Sequence, residues 1–184
     1  IHSGYAQITG SKSKWDYAAG VRLESMDRVY KETLYKQSEK VYDYDFVKLF
    51  PSASLQYEIN DKTNIKTAYS KRVERTTTFK MNSFAEREHS EVFEQGDNTL
   101  LPEFIDLVEL GITKKLKGGN SVYATVYFRH VDNVINRVNT LAYEANGAVI
   151  DSIINRVYSN VGKSNSIGLE IGANIKTTKN WSNF

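Results

Sequence analysis

The chain has 184 residues, 40% of them hydrophobic, which is enough for one domain with a modest core. Its 24 Lys and Arg residues against 22 Asp and Glu residues give a formal net charge of +2, far from the strongly basic surface typical of nucleic-acid binding. We therefore predict no nucleic-acid partner. The absence of cysteine excludes disulfide frameworks, thiolate zinc sites and cysteine nucleophiles.

The composition favours strands. The sequence contains 12 Tyr and 8 Phe but only 2 Pro, a bias toward side chains that fit a pleated, half-buried surface. No run of apolar residues approaches the length of about 18 that a membrane-spanning helix needs. Residues 1–5 contain neither a starting Met nor a signal region, and the chain stops soon after a predicted short turn at 178–180. We expect both ends to be truncations.

Alternation of apolar and polar side chains is the main pattern along the chain. In residues 166–176, Ile167 and Leu169 would lie on one face of a strand, with Gly168 and Glu170 on the other. Such alternation is typical of a strand with one apolar and one wet face. The pattern predicts strands, in chain order, in residues 15–24, 47–59, 65–73, 108–113, 121–140 and 150–176.

The connections between these strands fall into two length classes. Short turns are predicted at 10–14, 60–63, 117–120 and 178–180, and long connections at 28–43, 75–105 and 139–148, the last with a tip at Asn146–Gly147. Short and long connections alternate if 150–176 is a single strand, with a bulge near 160–162 instead of a turn at 163–165. We predict that single strand.

These elements predict an all-β fold, an antiparallel up-and-down meander of about eight long strands with incomplete first and last strands. Short turns on one rim and long loops on the other are typical of bacterial outer-membrane barrels. Residues 1–184 are therefore predicted to form part of a larger transmembrane β-barrel. Two alternatives stay open: a soluble ligand-binding β-barrel or sandwich, and a structural or adhesion barrel. Strand lengths above the usual five or six residues favour the membrane.

A series of short motifs then resembles the barrel of TonB-dependent outer-membrane receptors. It begins with Phe-Pro-Ser at Pro51, followed by Tyr-Ser-Lys-Arg-Val-Glu-Arg with Arg72 and Arg75. The sequence departs from the family's motifs at two places. Thr76 occupies the position after Arg75 where the family has a proline, and Leu100–Leu101 shift the usual spacing of leucine before Pro102. The motif residues to which we assign structural roles are Pro51, Arg72, Arg75, Gly96, Pro102, Glu103, Glu109, Gly111, Arg129, Asp132, Asn160, Gly162, Gly168 and Glu170.

The resemblance implies a function for the parent protein. Members of that family import a scarce nutrient, of the siderophore, cobalamin, glycan or peptide class, across the outer membrane of a Gram-negative bacterium. The implied partners are outer-membrane lipid, the receptor's own plug domain and, through the plug, TonB. Nothing in residues 1–184 matches a plug, so this stretch would be wall and loops. No enzymatic activity and no cofactor are implied.

The polar face of the predicted strands carries charged residues and glycines. Glu109, Arg72, Arg129 and Glu170 would form a charge lattice in a wet lumen, and Gly111, Gly168 and Gly172 would allow a neighbouring side chain or a plug to come close. Pro102 would end the long loop and start the next strand near Asp106.

Other candidate sites are few. Within the long loops, the candidate ligand-binding residues are Tyr30, Tyr35, Glu88, His89 and Glu91. His2, His89 and His130 share no metal-ligand spacing, so we predict no metal site. No catalytic motif occurs, and nothing orients Glu24 and Asp27 as an acid and base. An aromatic belt at the rim of short turns is predicted from Trp15, Tyr17, Tyr57, Tyr123 and Trp181.

Overall fold

In the computed structural model, which describes residues 1–33, 38–89, 92–146 and 149–176, the chain is almost entirely strand. The elements in chain order are β1 (His2–Lys12), β2 (Trp15–Glu32), β3 (Lys40–Asn60), β4 (Thr63–Glu74), α1 (Thr78–Met81), β5 (Glu86–His89), β6 (Val92–Gln95), β7 (Glu103–Lys115), a 3₁₀ turn (Lys117–Gly119), β8 (Ser121–Asp132), β9 (Ile135–Asn146), β10 (Val149–Asn160) and β11 (Lys163–Asn174).

The strands form two sheets. A seven-stranded sheet, which we call the wall sheet, has the order β1-β2-β3-β4-β7-β8-β11, and all of its neighbouring strands are antiparallel. A second sheet, the loop sheet, has the order β5-β6-β10-β9. The predicted all-β meander is confirmed, with seven wall strands in the described part of the chain. The predicted last strand, which includes Trp181, and the turn at 178–180 lie outside the described residues.

Short turns join the wall strands where the sequence predicts them. Ser13 adopts a φ of 57° in the turn between β1 and β2, and the Asn60 side chain accepts a bond of 3.0 Å from the backbone N–H of Lys62 between β3 and β4. Gly118 and Gly119 adopt φ values of 73° and 77° between β7 and β8. These left-handed backbones explain why glycine and small polar residues occupy the turns.

The predicted single strand at 150–176 is divided into β10 and β11. The division falls at Val161–Gly162, where a bulge was expected, and Gly162 adopts a φ of 119°. No chain reversal occurs there, since Asn160 pairs with Ile135 and Lys163 pairs with Asp132 in one continuous register. Residues 121–146 and 149–174 are therefore one long hairpin, interrupted in both arms at the same height, and 163–165 is strand instead of turn.

The long connections are shorter than predicted. Strand β2 continues to Glu32 and β3 begins at Lys40, so much of 28–43 is paired strand. Strand β9 runs to Asn146 and β10 begins at Val149, so most of 139–148 is strand as well. Gly147 lies outside the described residues. Strand β7 begins at Glu103, directly after Pro102 and before the predicted start at Asp106. Backbone pairing satisfies N–H and C=O groups whether or not apolar and polar side chains alternate. The alternation in the sequence therefore does not predict these extensions of the strands.

The two faces of the wall sheet differ as predicted. One cross-strand row reads Ala19, Ala53, Tyr69, Val108, Phe128 and Ile167, and we call the face that carries it the apolar face. Five of these six side chains are exposed, Ile167 by 79%, and Tyr69 is half-buried. Arg72, Glu109, Arg129 and Glu170 point to the opposite, polar face, because their registers place them between the apolar positions.

The buried side chains gather at the end of the wall sheet away from the short turns. One cluster contains Met26, Phe46, Phe50 and Phe104, and the other contains Met81, Leu100 and Tyr158. Phe104 is stacked on Phe50 with ring centroids 6.3 Å apart. The second cluster joins α1 and the segment before β7 to β10, so the core of this chain lies under its long loop.

Candidate functional site

The segment from Arg75 to Pro102, which we call the strap, joins β4 to β7 and is fixed to two hairpins. The Arg28 guanidinium on β2 donates a bond of 2.7 Å to the carbonyl of Leu100. Directly after the strap, the carboxylate of Glu103, the first residue of β7, accepts a bond of 2.6 Å from the backbone N–H of Ile135 at the start of β9. The strap and the residue that follows it therefore connect β2 to the start of β9.

A buried carboxylate anchors the start of the strap. Glu24 is only 1% exposed, and its two oxygens receive Arg75 and, at 3.4 Å, Arg22. Because an unpaired buried charge is costly, these two cations are what allow a carboxylate at this position. The structural role assigned to Arg75 is thus the fixing of the chain as it leaves β4.

Gly96 lies where no side chain fits. A Cβ built on it would come within 2.5–2.6 Å of backbone atoms of Asn82 and Lys80. This close approach allows the N–H of Gly96 to bond the carbonyl of Asn82 at 2.6 Å and that of Asp97 to bond Lys80 at 3.0 Å. The strap therefore folds back on α1 at this point, which requires glycine.

Asn160 fastens the end of the strap to the long hairpin. Its Oδ1 accepts the N–H of Leu101 at 2.8 Å, and its Nδ2 donates to the carbonyls of Leu101 at 3.1 Å and Asn133 at 2.7 Å. All three bonds satisfy backbone groups that no ladder reaches. Asn160 and Gly162 thus act together, the first holding the strap and the second allowing the interruption of the strand.

A second buried carboxylate lies beneath the middle of the strap. Glu32 is the last residue of β2, and its carboxylate accepts hydrogen bonds from Tyr42 at 3.3 Å, from Asn98 at 3.2 Å and from Ser83. Two of these donors come from the strap. Glu32 is not among the residues predicted from the sequence. Its partners are up to 66 positions away, so no local pattern signals this cluster.

Burial shifts the pKa of two titratable groups, Arg28 and Tyr44, at the strap end of the wall sheet. Burial lowers the pKa of the Arg28 guanidinium, although the nearby Tyr44 acts in the opposite direction. Burial raises the pKa of the Tyr44 hydroxyl, while Arg28 acts to lower it and Asp45 to raise it. The Arg28 guanidinium lies 5.3 Å from the centroid of the Tyr44 ring, a geometry that favours the cation.

On the polar face of the wall sheet, tyrosine rings cover glycines. A Cβ on Gly168 would lie 2.2 Å from the Tyr127 ring, and one on Gly172 would lie 2.4 Å from the Tyr123 ring. Tyr123 therefore points to the polar face, and its assignment to the aromatic belt is wrong. The reason is strand alternation, since Val122 and Ala124 occupy the apolar face. Gly111 faces Thr125 in the same way, with its Cβ position 2.9 Å from the hydroxyl oxygen.

The apolar face ends in a polar row at the side nearest the strap. Across four strands this row contains Lys71, Asp106, His130 and Asn165. Lys71 pairs with Asp106 at 2.8 Å, and the His130 ring contacts the Asn165 side chain at 2.6 Å. Directly beyond it, Asp132 pairs with Lys163 at 3.0 Å. Asp132, a motif residue, thus belongs to the boundary of the apolar face.

The remaining selected residues have simpler surroundings. Pro51 on β3 pairs with Val21 on β2. It lies one residue beyond the last pair of β3 with β4, Ser52 with Ser70, so its missing N–H costs no hydrogen bond to β4. Trp15 and Tyr57 are in ring contact at 4.5 Å on the apolar face, next to the short turns.

The candidate ligand residues are placed only in part. Tyr30 packs against the cluster of Met81, Leu100 and Tyr158. The backbones of Glu88 and His89 lie in β5, whereas Tyr35 and Glu91 lie outside the described residues. In the described ranges no group of three or more metal-ligating side chains occurs, and no helix there is long and apolar enough to span a membrane.

Comparison with known proteins gives one family match. A model of the outer membrane protein beta-barrel family matches residues 1–184. No match was found among curated proteins.

Several solved receptors have a similar fold. The hemophore receptor HasR of Serratia marcescens, solved with its hemophore HasA and heme, is 21% identical, with a TM-score of 0.65 over 95% of this chain and 31% of its own. The ferric enterobactin receptor PfeA of Pseudomonas aeruginosa, with enterobactin, is 17% identical, with a TM-score of 0.63 over 92% of this chain and 24% of its own. The siderophore receptor PirA of Pseudomonas aeruginosa is 16% identical, with a TM-score of 0.63 over 92% and 30%. The chain spans a quarter to a third of their length.

Proposed function

The chain belongs to the outer membrane protein beta-barrel family, and from this premise we propose that it forms wall and external loops of a TonB-dependent receptor that imports a scarce nutrient. The predicted location in the outer membrane and the predicted resemblance to receptor barrels are confirmed. The function proposed is transport without catalysis. The observation that carries it is a continuous apolar face, bounded on one side by short turns and on the other by a polar row and a strap.

The height of the apolar face suits a bilayer. On β3 the face runs from Val47 to Ile59. At about 3.3 Å per residue this run covers roughly 40 Å along the strand and, at a tilt of about 45°, roughly 28 Å across the membrane. The apolar band of outer-membrane barrels is about 25 Å tall.

The two rims define an orientation. Short turns in this class of barrel lie in the periplasm and long loops outside the cell, so the strap and the loop sheet would face the medium. The polar face would line the lumen. Tyrosine rings lie over glycines on this face, so these side chains would project little toward a plug domain. Plug, TonB and ligand are the partners of this proposal.

The soluble alternative requires the apolar face to be a packed core. Within the described residues, Leu169 and Ile171 beside Ile167 have no layer packed on them, and they are 61% and 75% exposed. Exposed apolar patches of this extent mark contact with lipid or another protein. The adhesion-barrel alternative shares this geometry and differs only in lacking transport.

Transport is tested by following nutrient depletion from the medium. Strains with and without the full-length receptor gene would be compared for ferric siderophores, cobalamin, oligosaccharides and peptides by mass spectrometry, each with and without functional TonB. We expect one ligand class to be removed only when both receptor and TonB are present. Equal removal of every class by all four strains would refute import by this protein and favour a structural barrel.

A further inference from the structure

Lysine side chains are concentrated at the rim of short turns. Residues 10–16, 58–64 and 113–121 contain six lysines and three acidic residues, a local formal charge of +3 in a chain whose net charge is +2. All six lysine side chains are exposed, so positive charge accumulates on the surface at one end of the wall sheet. We call this group the lysine rim, and it consists of Lys12, Lys14, Lys62, Lys114, Lys115 and Lys117.

Backbone hydrogen bonds join the short turns to their neighbours. The carbonyl of Lys14, in the turn between β1 and β2, accepts a bond of 2.8 Å from the N–H of Glu58 on β3. The carbonyl of Lys62, in the turn between β3 and β4, accepts a bond of 2.7 Å from the N–H of Lys115 on β7. Neighbouring strands lie about 4.8 Å apart, so the backbone holds the lysines of adjacent turns close together. A partner of the lysine rim therefore meets a fixed row of charges that it does not have to order.

The ammonium groups of the lysine rim are not neutralised within the described residues. None of the six forms an ion pair there, and only Lys14 uses its ammonium group in a hydrogen bond, of 3.4 Å to a backbone carbonyl. The strap end differs, because Lys71 pairs with Asp106 at 2.8 Å and Lys163 pairs with Asp132 at 3.0 Å. Like charges without counter-charges repel one another, so an anion from outside the chain would be attracted to the lysine rim.

Apolar and aromatic side chains lie at the same height as the lysine rim. Lys12 is paired with Trp15, and Lys114 is paired with Val122 on the apolar face. Trp15 and Leu116 are each 44% exposed. Aromatic rings mark the level of the lipid headgroups, and lysine stems lie along apolar surface while their ammonium groups stay in the polar layer. Lipid phosphates are therefore within reach of the lysine rim, whereas a soluble acidic protein would leave these apolar side chains uncovered.

We propose that the lysine rim binds the phosphodiester groups of anionic phospholipids in the periplasmic leaflet of the outer membrane. The proposal rests on the proposed function for its orientation, since the short turns then lie on the periplasmic side. Charge complementarity decides the lipid class. An anionic headgroup is attracted by every ammonium group within a Debye length, whereas a zwitterionic headgroup carries an ammonium group of its own and gains less. The lysine rim would thus select the lipids that surround this part of the wall.

The test measures which lipid lies beside the lysine rim. The full-length receptor, with any other cysteine removed, carries a bimane fluorophore on a single cysteine at Val122, in nanodiscs of equimolar phosphatidylglycerol and phosphatidylcholine. Bromine is placed on the acyl chains of one lipid or of the other, and the ratio of the two quenching efficiencies gives the local lipid preference. A label at Ile167, which is 79% exposed on the same face but lies nearer the strap, is the reference site.

We expect phosphatidylglycerol to quench the label at Val122 about threefold more than phosphatidylcholine does, and both lipids to quench the label at Ile167 about equally. The double variant Lys114→Gln and Lys117→Gln should lose at least half of this preference. The control Lys31→Gln and Lys40→Gln, which removes two exposed lysines at the other end of the wall sheet, should keep it. Raising the salt concentration from about 0.05 M to about 0.5 M should abolish the preference in the wild type.

Three results would overturn the proposal: equal quenching by the two lipids at Val122, an equal preference at both label sites, and an unchanged preference in the double variant of the lysine rim. In each of these cases the labels would still report lipid beside the apolar face, so the proposed function would stand. Absence of quenching by either lipid at both sites would instead contradict the membrane wall, and the proposed function would fail with the lipid site.

Discussion

Replacement of Asn160 by alanine tests how the strap is held. The side chain makes three hydrogen bonds, two to the backbone of Leu101 and one to that of Asn133. At about 1 kcal/mol for each bond, the substitution should weaken the attachment by about 3 kcal/mol. If the N–H of Leu101 exchanges by local opening, its exchange should accelerate roughly 150-fold. Hydrogen-exchange mass spectrometry on the full-length receptor in nanodiscs measures this rate.

Two further variants show whether the hydrogen bonds are responsible. Asn160→Asp keeps the acceptor for Leu101 but puts a carboxylate oxygen against the carbonyls of Leu101 and Asn133, so exchange should accelerate at least as much as in Asn160→Ala. Asn174→Ala, the control, removes an exposed side chain that makes one long bond of 3.4 Å to Ser121, and the Leu101 rate should not change. Exchange in Asn160→Ala within threefold of the wild-type rate would refute the assigned role.

The other predictions concern the fold of the strap and its anchor. Gly96→Ala should destabilise the strap by about 1–3 kcal/mol, because the added Cβ meets backbone that cannot move aside. Faster hydrogen exchange of the Asp97 N–H would show this. Gly4→Ala, whose Cβ has nothing within 4 Å, is the control and should leave that exchange rate unchanged. Glu24→Gln should lower the stability of the strap by about 1–2 kcal/mol, since Arg75 loses its charged partner but remains partly solvated. Thermal unfolding in detergent, with exposed Glu58→Gln as the control, measures it, and equal midpoints would contradict the anchor.

Strand alternation could be predicted from the sequence where the two faces have different surroundings. The run from Ser166 to Asn174 alternates because Ile167 and Leu169 lie on the apolar face and Glu170 on the polar face. Tyr123 follows the same alternation, which places it on the polar face opposite Gly172 and away from the predicted aromatic belt. Where β2 continues past Arg28, burial still alternates, but the covered positions carry Tyr30 and Glu32 and an exposed one carries Val29. Polarity therefore does not follow burial there, and the extension has no sequence signal.

The contacts of the strap had no comparable signal. Arg75 and Glu24 are 51 positions apart, as are Ser83 and Glu32. The family resemblance identified Arg75, Gly96 and Asn160 as structural, but the reasons are a buried ion pair, a backbone contact and a set of three hydrogen bonds, none of which spacing in the sequence expresses. Tertiary pairing between distant segments decides these positions.

The apolar face is expected to contact lipid, and the accessibility of spin labels on that face tests this contact. Residues 1–184 contain no cysteine. In a full-length receptor from which any cysteine elsewhere has been removed, single cysteines at Ile167, Leu169, Ser166 and Glu170 can carry nitroxides; Gly168 is avoided because Tyr127 covers it. We expect high accessibility to oxygen from lipid at Ile167 and Leu169 and low accessibility at Ser166 and Glu170. Labels at Ile167 and Leu169 that are shielded from both oxygen and aqueous reagents would contradict the account, because the apolar face would then be a packed core.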